Sequence, residues 1–125
     1  MTELLQRILQ RGEGWAWDKD FVTQVCEEEA VTLSEFCNRT MVEVSREFLL
    51  GKIAFWDADR IANAVHNWIL EDASRRGDGS TIGELAEPAW SLYCAFDAGE
   101  WDPQDGNGPF EEKTARLVKE ILSAA

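Results

Sequence analysis

Residues 32–73, TLSEFCNRTMVEVSREFLLGKIAFWDADRIANAVHNWILEDA, constrain the fold more than any other stretch. Apolar residues recur there every three to four positions on both sides of a break at Gly51–Lys52. A helix gathers that spacing into one face, whereas a strand would scatter it over two. Thr32 and Glu35 form a capping-box pattern, the threonine hydroxyl accepting from the third helical amide while the glutamate reaches back. Phe36, Cys37, Met41, Val44, Phe48 and Leu49 then follow helical spacing, and Glu35, Arg39, Glu43, Arg46 and Glu47 occupy much of the other side. Gly51 ends this helix, since glycine enters the left-handed region without a side-chain clash. Ile53 and Phe55 read as plugs before a second helix, which Asp57 is placed to cap. That helix presents Ile61, Ala62, Val65, Trp68 and Ile69, with Ala58 and Ala64 at close approaches. Asp59, Arg60, Asn63, His66 and Asn67 fall largely outside the stripe and read as a polar face. Residues 75–79 read as an exposed loop.

The flanks supply shorter helices to pack on this hairpin. Thr2 can cap a first one, with Leu4, Leu5, Ile8 and Leu9 on one face and Arg7 and Arg11 near its negative pole. Gly12 and Gly14 stop it, and Trp15 and Trp17 are expected to lie over the core edge. Asp18 or Asp20 opens a second helix whose apolar side is Phe21, Val22, Val25 and Cys26. Thr81 and Glu84 repeat the capping-box pattern, so a helix is expected from about 84 to 98, with Pro88 in its first turn and Gly99 ending it. Leu85, Ala89, Leu92, Tyr93 and Phe96 would face inward. Pro109 starts a last helix that buries Phe110, Leu117, Val118, Ile121 and Leu122, with Glu112 and Arg116 favourably oriented one turn apart. No run alternates with period two as a strand would. The expectation is an all-α fold: one domain over residues 1–125, a bundle of five to six helices organised on the hairpin.

A chain of 125 residues matches a single-domain length and can bury roughly two-thirds of its unfolded surface without metal or disulfide. Cys26, Cys37 and Cys94 are an odd number with no C-x-x-C pair, and read as buried, reduced thiols. His66 is the one histidine, too few ligands for a zinc site. No apolar run approaches the ~20 residues of a membrane span. The N-terminal MTELLQRILQR lacks a secretory pattern, so a cytoplasmic location is expected.

Charge limits the partners. The formal net charge is −12, and it is unevenly spread. From Asp18 to Glu47, eight acids stand against Lys19, Arg39 and Arg46, while no basic residue occurs between Arg76 and Lys113. Such a field repels nucleic-acid phosphates and anionic lipid and attracts cationic proteins; the alternative is that it serves only to keep the protein soluble. Candidate protein-binding residues are therefore the acids Glu27, Glu28 and Glu29, and the group Asp97, Glu100, Asp102 and Asp105 with Trp101 among them. An aromatic ring in an acidic, glycine-rich loop suits a binding hot spot, and equally suits a ring tucked under the helices that pins the loop.

No catalytic pattern is present: there is no G-x-S-x-G, phosphate-binding loop, dinucleotide fingerprint or H-E-x-x-H. Asp105, Gly106, Asn107 and Glu112 fit four positions of a calcium loop, but positions one and three would be Trp101 and Pro103, which cannot ligate through side chains. Neither an enzyme, a cofactor nor a metal is expected.

Two segments, FLLGKIAFWDADRIANAV (48–65) and YCAFDAGEW (93–101), resemble parts of small acidic bacterial immunity-type proteins, the colicin-immunity-like helical bundles. In that family a helix ends in a Phe-Leu-x-Gly turn and an Ile-x-Phe leads into the next. The resemblance implies a helical bundle that binds a cognate toxin domain and blocks it. It brings no contact residue with it, so the acids named above come from charge distribution alone. Taken together, the expectation is a non-catalytic domain that binds a basic protein, with no nucleic-acid or membrane partner. Two other functions fit the same features, an acidic chaperone or adaptor for a secreted protein and a small-ligand-binding regulator. The oligomeric state is not encoded in any of these patterns.

Overall fold

The computed structural model describes residues 2–77, 83–100 and 110–124. It is all-α: α1 (Glu3–Arg11), α2 (Lys19–Glu29), α3 (Leu33–Leu49), α4 (Phe55–Arg76), α5 (Ala89–Glu100) and α6 (Phe110–Ala124), with a 3-10 turn at Glu13–Trp17. There is no strand among the described residues.

The hairpin forms for the reasons its sequence suggests. Thr32 caps α3, its hydroxyl accepting from the Glu35 amide at 3.1 Å while Glu35 accepts from the Thr32 amide at 3.4 Å. At the other end Gly51 takes φ 75°. Its amide donates to the Phe48 carbonyl and the Lys52 amide to that of Glu47, which pairs two otherwise orphaned carbonyls. Asp57 does not cap α4. The helix begins two residues earlier, at Phe55, and Ala54 provides no side-chain cap. Phe55 is held there because its ring packs on Phe48 and Phe96 at 6.1 and 6.2 Å, a core contact that outweighs the local capping preference. Nor is 75–79 a loop throughout. Helix α4 continues to Arg76, whose guanidinium grips the buried Asp72 one turn earlier at 3.0 Å.

Helices α3, α4 and α5 pack mutually, α6 lies on α5 and α3, and α1 closes the other side of α3. Phe36, Met41 and Val44 of α3, Val65 and Ile69 of α4, and Leu92 and Phe96 of α5 are fully buried. Leu4, Leu5 and Ile8 dock α1, each contributing roughly 1.5–3 kcal/mol. Leu9, expected on that face, is 41% exposed. The two early tryptophans separate. Trp15 is buried against Phe36, while Trp17 is 79% exposed. The 3-10 turn between them is pinned by the Trp68 indole N–H, which donates to the Ala16 carbonyl at 3.1 Å.

Two expectations about α5 fail. The helix starts at Ala89 rather than near residue 84, after a cis Glu87–Pro88 bond. Its first amides are satisfied from outside the local pattern: Asn38 of α3 accepts from the Ala89 amide at 3.0 Å and Glu87 from the Ser91 amide at 3.2 Å. Gly99 lies inside the helix, not at its end. It is needed for close approach, since a Cβ there would stand 2.2 Å from Thr114 Oγ1 and 3.1 Å from the Phe55 ring.

Cys37 is buried and Cys26 half-buried, but Cys94 is exposed, against the expectation of three buried thiols. Burial raises the Cys37 pKa and makes it a poor nucleophile. No group of residues suited to a metal ion occurs among the described residues, and no helix there is long and apolar enough to cross a membrane.

Candidate functional site

The proposed binding residues divide into three sets. Trp101, Asp102 and Asp105 lie outside the described residues, as do Gly106 and Asn107 of the calcium-loop pattern and the Thr81 part of the second capping box. Glu27, Glu28 and Glu29 end α2, and two of the three already have cationic partners. Arg7 meets Glu28 at 2.8 Å and Arg39 meets Glu29 at 3.8 Å. The Gln24 amide, then Arg7, holds the Glu28 carboxyl below its ordinary range. Asp97 and Glu100 lie on α5, and no ion pair joins either to a cation among the described residues.

The two acidic sets are also far apart. Cys26, just before the triplet, feels the charge of Arg75 near the end of α4, whereas Glu100 bonds Asn63 near its beginning. Asp59 and Arg75 are separated along α4 by roughly 24 Å at 1.5 Å per residue. Arginines answer two of the three α2 acids, whereas among the described residues no ion pair answers either acid of α5.

What the sequence reading missed is the partner surface on α4. Asp59, assigned there to a polar face, is 3% exposed. Asn63 bridges, its side-chain amide donating to Asp59 Oδ2 at 3.4 Å and to Glu100 Oε1 at 3.3 Å. Asp97 completes a carboxyl cluster across the α4–α5 seam. One turn along the same seam the rings of His66, Tyr93 and Trp90 stack, with His66 4.4 Å from Tyr93 and 5.7 Å from Trp90. The two helices run antiparallel here: Asp59 and Asn63 face the end of α5, while His66 faces its beginning. His66 is therefore part of an aromatic stack, with the exposed Asn63 and Asn67 beside it.

The electrostatics follow from burial. Loss of solvent, then a hydrogen bond and the charge of Glu100, then the charge of Asp97, push the Asp59 pKa up to about 8. Asp59 is thus largely protonated at neutral pH. Its Oδ1 is buried and receives no hydrogen bond. A neutral carboxyl tolerates such an unpartnered buried oxygen at lower cost than a carboxylate would. The proton that Asp59 shares with Glu100, with the Asn63 and Asp97 hydrogen bonds, holds Glu100 below its ordinary range. Tyr93 is raised by burial and by the same acids. The signal for Asp59 was its spacing. It stands four residues after Phe55 and three before Ala62, on the buried stripe, but its polarity suggested the solvent side.

The fold and this face define a small, acidic, all-α bundle with a carboxyl–aromatic seam. Comparison with family models, curated proteins and solved structures finds no match for the chain. The likeness to immunity-type proteins therefore rests on the two sequence segments alone.

Proposed function

We propose that the protein is a non-catalytic binding protein that captures a cationic protein through the α5 side of the bundle. The observation that carries this reading is the contrast between the two acidic sets. Arg7 and Arg39 pair with Glu28 and Glu29 of the α2 triplet, while among the described residues no ion pair joins Asp97 or Glu100 to a cation, and the sequence from Gly77 to Glu112 holds no basic residue. Uncompensated charge at the surface speeds encounter with an oppositely charged partner, and the neighbouring Trp90 and Tyr93 rings offer apolar contact area. Asp59 is a poor general acid for a substrate, since it is buried and its proton is engaged by Glu100. Neutralising a basic toxin domain is the form of this function that the immunity-type likeness suggests.

The test compares the wild-type protein with Asp97→Asn/Glu100→Gln as baits for proteins of the source organism at low salt. A basic protein retained by the wild type, released by a salt gradient and lost from the variant supports the reading. Equal retention by both baits, or retention that ignores salt, removes it.

A further inference from the structure

Between α1, the 3-10 turn and the first turns of α4 lies a cleft of about 630 Å³. Small-molecule sites span roughly 300–1,000 Å³ and are mostly apolar. The floor here is made by the core residues Ile8, Trp15, Ile53, Ile61 and Ala64. Leu9 and Trp17, both of which the fold leaves exposed, line the same opening. An indole left in water forgoes most of the stabilisation that its burial would bring, and this one does so beside a concave apolar floor. Exposed apolar surface of that kind, edged by polar residues, marks a binding site.

The rim makes no demand for a charged ligand. Arg60 is engaged, by Asp57 at 3.7 Å and by a further contact. Asn63 commits its side-chain amide to Asp59 and Glu100. Lys52 is exposed, and its ammonium keeps its water. A charge drawn onto the floor would lose hydration without gaining a fixed partner. An anion would also enter the field of a chain of net charge −12. A neutral ligand meets neither cost. Its shape follows from Trp17, whose flat ring gains more from stacking on another flat ring than from touching a saturated one.

We propose that this cleft binds a neutral, flat aromatic molecule, its body lying on the Ile8–Ile53–Ile61 floor and one ring face against the Trp17 indole. The site does not depend on the capture of a cationic protein, since no residue of α5 lines it.

Calorimetric titration of the full chain at neutral pH tests this with β-naphthol, its anionic relative β-naphthoate and its saturated relative β-decalol. β-Naphthol is expected to bind saturably at a single site, about tenfold more tightly than β-naphthoate and about fivefold more tightly than β-decalol. Trp17→Ala should weaken β-naphthol about fivefold and erase its advantage over β-decalol. Circular dichroism and the melting temperature should not change, because the side chain is 79% exposed. Ala54→Trp, at an exposed and extended position beside the opening, should block all binding, again with the fold intact. Absence of saturable β-naphthol binding overturns the proposal. So does β-naphthoate binding as tight as that of β-naphthol, a preference over β-decalol that persists in Trp17→Ala, or β-naphthol binding that survives Ala54→Trp.

Discussion

At the scale of single residues, Asp59 makes the sharpest demand. Its folded pKa of about 8 lies well above the unfolded value near 4, so the folded state holds a proton that the unfolded chain releases. That contribution is complete below the unfolded pKa and is lost as pH rises through about 8. Glu100, with its lowered pKa, has the opposite sign, and its contribution is lost only toward acid pH. Between pH 7 and 9 the Asp59 effect therefore governs, and the wild type should lose about 1–1.5 kcal/mol of stability in urea unfolding. Asp59→Asn keeps the shape and a donor toward Glu100 and should flatten that slope; a variant as pH-sensitive as the wild type would exclude the shared proton. Gly99 is a steric counterpart. Gly99→Ala should cost about 1–3 kcal/mol, because the new Cβ meets the buried Thr114 hydroxyl, which itself donates to the Ala95 carbonyl at 2.9 Å. Both roles escaped the sequence for one reason: each depends on what lies opposite, Glu100 for Asp59 and Thr114 for Gly99, and neither partner is a sequence neighbour.

At the scale of elements, helix ends decide how much was legible. Helix α3 follows its sequence at both ends because its signals are local, the Thr32–Glu35 box and the left-handed Gly51. Helix α5 departs because the groups that satisfy its start include Asn38 of another helix, which no window around residues 81–89 reveals. Helix α2 ends in the same double hydrogen bond as α3, with the Ala30 amide donating to the Glu27 carbonyl and that of Val31 to Cys26. Here, however, the left-handed residue is alanine, at φ 54°. Its Cβ crowds the carbonyl in that conformation, a cost of roughly 1–2 kcal/mol that glycine avoids, partly offset by the greater freedom of glycine in the unfolded chain. Ala30→Gly should therefore stabilise the protein by about 0.5–1 kcal/mol, and Gly51→Ala should destabilise it by a similar amount. Urea midpoints that move the other way would mean that those turns are not left-handed in solution.

At the scale of the whole molecule, charge sets two salt dependences of opposite sign. A net charge of −12 repels itself in the compact state, while the exposed pairs Arg7–Glu28, Arg39–Glu29 and Arg75–Glu71 give little in return. Added salt shortens the Debye length from roughly 30 Å at 0.01 M to about 10 Å at 0.1 M, which screens the repulsion across the bundle. Folding should therefore strengthen with salt, the melting temperature rising by about 2–5 °C between 0.01 and 0.5 M sodium chloride. Capture of a cationic partner should weaken over the same range, because screening removes the attraction between the α5 acids and that partner. Opposite trends in the two measurements separate a functional acidic surface from partial unfolding at high salt, which would lower both together. A melting temperature that falls with salt would show instead that the surface ion pairs outweigh the net repulsion, and the acidity would then be balanced within the fold rather than available to a partner.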